Sequence, residues 1–249
     1  MFEIKLVRGA SIGGGALVTA FPSVGMVGTI AGSYMADTLK LPRVAYVVSE
    51  DLPPAALVID GVPGYPLRVL GSRDFSILAS EFQIPLQLAA PFSKAVLEWA
   101  EASKFDVIVC LEGLMTDQTI EQPTEVRVFG VGSTESARQM LSDAGIEQFK
   151  TGVITGFSGA MLSDGERLGK SVVCLLVEAN AMYPDARGAA KLVESVDKLL
   201  PAIKIDIKEL YEEAAKIEEN VKATVERTKE LLAARQGQAE RLGKSYMYG

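Results

Sequence analysis

Over the first two hundred residues, apolar positions follow two alternating rhythms. Compact runs rich in Val, Ile, Leu and Ala, each bounded by Gly, Pro or charge, predict strands at 16–21, 44–48, 56–60, 67–70, 76–82, 106–111, 125–131 and 172–178. Between them, apolar residues recurring every three or four positions predict helices over 24–39, 86–103, 134–144 and 185–200. The runs DVIVCL at 106–111 and VVCLLV at 172–177 are apolar at nearly every position, as expected of parallel strands covered by helices on both faces. Residues 55–82 differ, because their three short strands are separated only by Gly61, Pro63, Gly64 and Gly71, with no room for a crossover helix. An antiparallel hairpin or meander fits there. The expected fold is α/β, a three-layer α/β/α sandwich with a mixed, mainly parallel sheet over residues 1–201.

Beyond Pro201 the pattern changes. Charges of both signs interleave and no glycine appears until Gly237, which predicts a long C-terminal helix over 202–236. Ile207, Leu210, Ala214, Ile217, Val221, Thr224, Thr228 and Leu231 alternate at spacings of three and four, an a/d seam. Thirty or so helical residues would run about 45 Å, longer than most faces of a domain this size. The seam, with Ile207, Leu210, Ile217, Val221 and Leu231 as its stronger positions, packs either on its own domain or on a neighbouring subunit. Residues 237–249 have no apolar period and are expected to be a flexible tail.

Composition narrows the chemistry. The chain of 249 residues contains no histidine, so it has no Ser-His-Asp triad, no Cys-His pair, no His-ligated zinc and no imidazole proton shuttle. Its two cysteines, Cys110 and Cys174, both lie inside apolar strand runs and read as core residues. A net charge of -7 opposes binding to phosphate backbones, so nucleic acid is not an expected partner. No run reaches the ~18 apolar residues of a membrane span, and Glu3, Lys5 and Arg8 stand where a signal peptide would be apolar. A cytoplasmic location is expected.

Four segments carry possible chemistry. In GGGALVTAFPSVGMVGTIAGSYM a strand turns through Pro22 and Ser23 into a helix, but Gly25, Gly28 and Gly32 are spaced GxxGxxxG and not GxGxxG. The turn either cradles an anion or lets the helix pack closely on the sheet. The run GERLGKS at 165–171 resembles a phosphate loop, but it is one residue short and precedes a strand, so Lys170 and Ser171 belong in an ordinary turn. Glu112 and Glu178 follow the two most apolar strands, at the carboxyl ends where open α/β sheets bind ligands. They serve either acid/base chemistry or capping. The chain closes on Met247, Tyr248 and Gly249: an apolar anchor, an aromatic hydroxyl and a carboxylate, which is either a C-terminal recognition motif or a frayed end.

Taken together, AFPSVGMVGTIAGSYM, VIVCLEGL, VITGFSGAML and the terminal Met247-Tyr248-Gly249 resemble archaeal homologues of the proteasome assembly chaperones. That family's first element commonly reads G-F-P-G-V-G-x-V-G; here Ala20 and Ser23 replace its first two glycines, while Phe21, Pro22, Val24, Gly25, Val27 and Gly28 match. The resemblance implies a fold similar to nucleoside phosphorylases without their active site, a homo-oligomer, and a chaperone rather than an enzyme, with no cofactor and no metal. It also implies docking on proteasome α-subunits through the tail. Met247 would fill an apolar pocket, the Tyr248 hydroxyl would hydrogen-bond inside it, and the Gly249 carboxylate would pair with a pocket lysine. Two other functions stay open from the residues: a small-molecule or nucleotide-binding enzyme with its pocket near Phe21, Gly28, Glu112 and Glu178, and an oligomeric scaffold for another client.

Overall fold

The computed structural model describes residues 1–115 and 125–212. Nine strands form one mixed sheet in the order β1-β3-β6-β7-β2-β8-β11-β9-β10. Its centre is parallel: β2 (Ala16–Ala20) lies between β7 (Phe75–Ser80) and β8 (Val107–Met115), and β8 in turn pairs with β11 (Val172–Ala179). On one side the sheet continues through antiparallel strands β6 (Leu67–Gly71), β3 (Arg43–Val48) and β1 (Glu3–Leu6). On the other, β9 (Val128–Gly132) runs antiparallel to β11 and carries the two-residue β10 (Glu147–Gln148) at its outer edge. A separate two-stranded hairpin, β4 (Leu57–Ile59) and β5 (Val62–Gly64), stands apart from this sheet.

The central strands are apolar on both faces because both faces are covered. Val18, Val109, Leu111, Leu175 and Val177 pack under α1 (Val27–Thr38), α3 (Glu135–Asp143) and α5 (Ala186–Leu199). Leu17, Ile108, Cys110, Cys174 and Leu176 pack under α2 (Leu86–Ala102) and α4 (Gly156–Leu168), where Phe21, Phe92 and Phe157 form an aromatic cluster. This is the expected α/β/α sandwich with a mainly parallel core. Cys110 and Cys174 are register partners on β8 and β11, and burial pushes the Cys110 thiol up to about 12 and that of Cys174 well above its ordinary value.

Four of the helices were predicted within a residue or two, and the first of them opens with a 3₁₀ turn at Val24–Met26. The helix α4 was not predicted, although GFSGAMLSDGERL contains it whole. Its glycines obscure the period and serve proximity instead: a Cβ on Gly159 would lie 2.2 Å from the Ile154 carbonyl oxygen, and one on Gly165 would lie 2.7 Å from Val172 Cγ2. Gly169 ends the helix in the left-handed conformation, so Lys170 and Ser171 sit in the connection to β11. The edge strand β1 was also missed, because its alternating charges mask it.

The antiparallel pairing expected within residues 55–82 is present between β6 and β7, whereas the hairpin β4–β5 was not expected, because its second strand, Val62–Gly64, falls among the residues read as separators. Asp60 and Gly61 both have positive φ, 51° and 77°, the geometry of a two-residue type I′ turn that favours Asp-Gly. Residues 202–207 are not helical, and helical geometry begins at Lys208, six residues later than expected. The delay has a physical cause, because residues 203–207 are pinned to the domain. The Ile205 amide donates to Asp197 Oδ1 at 3.2 Å, and the Tyr34 hydroxyl donates to the Asp206 carbonyl at 2.6 Å.

Candidate functional site

Two places could carry function: the carboxyl ends of the parallel strands, and the root of the C-terminal segment around Leu210 and Tyr211.

At the strand ends, the glycine-rich turn after β2 is filled by protein. Gly25 has φ of 63°, and a Cβ there would lie 2.8 Å from the Asn180 carbonyl oxygen and 3.0 Å from Asp185 Cβ. Asp185 closes the turn from three directions. Its amide donates to the Gly25 carbonyl at 2.7 Å, its Oδ2 accepts from the Asn180 amide at 3.0 Å, and its Oδ1 caps α5 by accepting from the Gly188 amide at 2.8 Å. Two of the turn's amides bond within it, with Met26 N–H donating to the Ser23 carbonyl at 2.9 Å and Gly28 N–H reaching Ser23 Oγ at 3.5 Å. Gly28 and Gly32 bring α1 onto the sheet: added Cβ atoms would meet the Phe21 carbonyl oxygen at 2.6 Å and Ala20 Cβ at 2.2 Å. This geometry is that of close packing, with each glycine set against backbone or side chain where a Cβ would stand.

Glu112 and Glu178 stand on neighbouring strands, Glu112 opposite Leu176 and Glu178 opposite Leu114, but they do not form a pair. Glu112 accepts a hydrogen bond from Ser158 Oγ of α4 at 2.6 Å. Glu178 Oε2 accepts from the Arg127 amide on the other side, at 3.3 Å. Burial raises the Glu112 carboxyl above its ordinary value, and the Ser158 hydrogen bond opposes this only in part. Ser158 escaped the sequence reading because it lies in the unrecognised helix α4.

At the root, Leu210 is buried in the chain's own core, with 1% exposure, and Ile205 is buried beside it; Ile207 and Tyr211 are half-buried against the same α1 and α5 cluster. Of the seam positions, Ile207 and Leu210 thus contact their own domain, whereas Ile217, Val221 and Leu231 lie outside the described residues, as do Met247, Tyr248 and Gly249. The Tyr211 hydroxyl donates to Glu194 Oε2 at 3.2 Å, and Glu194 also accepts from Lys198 at 2.7 Å and Lys191 at 3.0 Å. Burial alone would push the Glu194 carboxyl up, but hydrogen bonds from Lys198 and Lys191 and their charge outweigh it and hold it at about 2. Nothing in the sequence pattern singles out this cluster. Its one readable part is the i, i+3 and i, i+4 spacing of Lys191, Glu194 and Lys198.

Among the described residues, no helix is long and apolar enough to cross a membrane.

Comparison with known proteins places this architecture. The crystal structure of Pyrococcus furiosus PbaA, an archaeal homologue of proteasome-assembly chaperone, superposes with a TM-score of 0.79 at 28% identity, over 92% of this chain and 99% of that one. Pyrococcus furiosus PbaB, an archaeal proteasome activator, shares the fold with a TM-score of 0.75 at 21% identity, over 90% of this chain and 98% of that one. An uncharacterized protein of Methanocaldococcus jannaschii, MJ0106, is 28% identical over 210 residues, covering 84% of this chain and 85% of its own. The PAC2 family model matches residues 17–225, from β2 through the root of the C-terminal segment and beyond it. The chain belongs to the PAC2 family.

Proposed function

We propose that this protein is a non-enzymatic homo-oligomeric chaperone or adaptor that assists proteasome assembly by docking its C-terminal Met247-Tyr248-Gly249 on proteasome α-subunits. The observation that carries the reading is the likeness to PbaA, which spans nearly the whole of both chains at 28% identity. Two features of this chain support it. The glycines of the turn that most resembles a ligand loop are packed against protein, and the last described residues are anchored on the domain by Leu210 and by the Tyr211–Glu194 hydrogen bond. An anchored Leu210 and Tyr211 give every subunit the same starting point for the residues that follow. Three tail residues bind weakly alone, but several tails on one oligomer facing a ring of pockets gain roughly 10²-fold or more through effective concentration.

The test is native mass spectrometry of the full chain with archaeal proteasome α-subunits, beside a version lacking residues 247–249. A complex formed by the full chain and lost on truncation is expected. An intact oligomer that ignores α-subunits overturns the reading.

The desolvated Glu112 with its Ser158 partner, at the strand ends, favours a second reading, a small-molecule site. A thermal-shift panel of nucleosides and nucleotides tests it: stabilisation that disappears in Glu112→Ala supports it, and silence across the panel rejects it.

A further inference from the structure

The main sheet protects both of its edges. β1 carries Glu3 and Lys5, paired at 3.0 Å, and β10 is two residues long with Glu147 tied to Arg127 at 2.9 Å. Charged or very short edge strands resist pairing with other chains. The strands of the hairpin β4–β5 are also short, three residues each with Pro63 on the second, but they carry no charged side chain. Val58, Ile59, Val62 and Tyr65 are 61%, 55%, 65% and 47% exposed, and residues 52–66 contain a single charge, Asp60. The hairpin and the neighbouring strands β3 and β6 enclose a groove of about 260 Å³ lined by Arg43, Ile59, Val62, Tyr65, Arg68 and Leu70. Tyr65 is held in place by stacking on Tyr46 at 4.5 Å between ring centroids. An isolated two-stranded hairpin is marginal in water. This one is left with its apolar side chains facing outward.

We propose that the hairpin β4–β5 and its groove are the surface on which a second copy of this chain docks. The inference rests on the homo-oligomer in the function proposed above and names the contact that builds it. Charge selects the occupant. Two copies with net charge -7 repel over most of their surfaces, so they meet most readily where charge is sparse. Lys5 beside Tyr65 is already paired with Glu3, whereas Asp60 at the hairpin turn and Arg43 in the groove are exposed charges of opposite sign, neither in an ion pair among the described residues, so a second copy can answer each with the other. The four exposed side chains leave roughly 400 Å² uncovered, about half of what one partner contributes to a standard interface. The groove and the adjoining strands supply the remainder.

The experiment compares the mass of the full-length wild type with Val62→Glu, Asp60→Lys and the double variant Asp60→Lys/Arg43→Glu, by light scattering across a dilution series. Met182→Glu, at a 90% exposed site on another face, is the control. Circular dichroism verifies that each variant is folded. Val62→Glu is expected to weaken association at least tenfold, Asp60→Lys to weaken it less, the double variant to recover it, and Met182→Glu to leave it unchanged. A folded Val62→Glu that assembles like an assembled wild type overturns the hairpin contact and leaves the proposed function standing. If Val62→Glu does not fold, the two charge variants decide, since both positions are exposed: an assembled wild type whose mass they leave unchanged refutes the proposal. A monomeric wild type overturns the homo-oligomer, and the hairpin contact with it.

Discussion

The turn from Phe21 to Gly28 and the hairpin from Leu57 to Gly64 look alike as sequence. Both are glycine- and proline-punctuated stretches between apolar runs, yet they are opposites in space. Every gap the glycines leave in the first is occupied by backbone or side chain: Asn180 and Asp185 against Gly25, the Phe21 carbonyl against Gly28 and Ala20 against Gly32. A Cβ added to Gly61 in the hairpin would meet nothing within 4 Å, and the valines and isoleucine beside it face outward. Glycine in the turn buys proximity, whereas in the hairpin it only permits the type I′ bend. The segment that most resembles a ligand loop is thus structural, and the unremarked one offers free surface.

The contrast can be broken or sharpened by substitution. The largest effect is expected at the root of the C-terminal segment, which is as well filled as the turn: Leu210→Ala removes a fully buried side chain and should destabilise the domain by about 2–5 kcal/mol, read from denaturant midpoints. An unchanged midpoint would mean that Leu210 contributes nothing to its own domain. Gly28→Ala comes next, since its Cβ would stand 2.6 Å from one carbonyl oxygen and 3.1 Å from another; a loss of about 1–3 kcal/mol is expected, and a neutral result would show that the turn has room. In the hairpin, Val58→Ser should change the stability of the isolated fold by no more than about 0.5 kcal/mol, because the side chain is largely solvated. A larger loss would place the hairpin in the cooperative core.

Two carboxyls give pH predictions of opposite sign. The Glu112 carboxyl is raised in the fold, so the folded state binds its proton more tightly than the unfolded chain does. Stability therefore falls as pH rises from the ordinary carboxyl value through the raised one, and stays lower above it. Glu112→Gln keeps an acceptor for Ser158 and should flatten that decline, with a modest rise in Tm at pH 7. A lower Tm with an unchanged pH profile would show that the carboxylate is not held at a desolvation cost. Glu194 behaves the other way. Its carboxyl is lowered to about 2, so its contribution is present above the ordinary value near 4.5 and is lost as pH falls toward 2. Glu194→Gln should remove that part of the acid dependence. Because the group is partly exposed, the effect should be small and weaken with salt.

The predicted architecture rested on residues whose environment is set nearby. DVIVCL and VVCLLV announce buried parallel strands because apolar runs of five and six residues this short and rich in Val suit a strand covered on both faces. Asp-Gly at 60 and 61 makes a tight turn because few other dipeptides accept positive φ twice in succession, yet the hairpin went unread because its second strand, Val62–Gly64, is too short and too rich in Pro and Gly to register as one. The helix α4 was illegible for the converse reason: Gly159 and Gly165 lower helix propensity, and the tight packing that requires them lies across the chain in Ile154 and Val172. Similarly, Glu112 and Glu178 were visible as strand-end carboxylates, but only the fold turns one toward Ser158 and the other toward Arg127.

The sequence by itself determined the class of fold, the absence of imidazole chemistry, the acidic surface and the change of character after Pro201, since each follows from composition or local period. Tertiary structure decided the rest. It closed the glycine-rich turn with Asp185, 160 positions after Gly25, and bound Tyr211 to a carboxylate on α5. It also left one hairpin uncovered. These outcomes depend on which distant side chains arrive at the same place, and packing across the sheet, unlike a hydrophobic period, is not written in neighbouring residues.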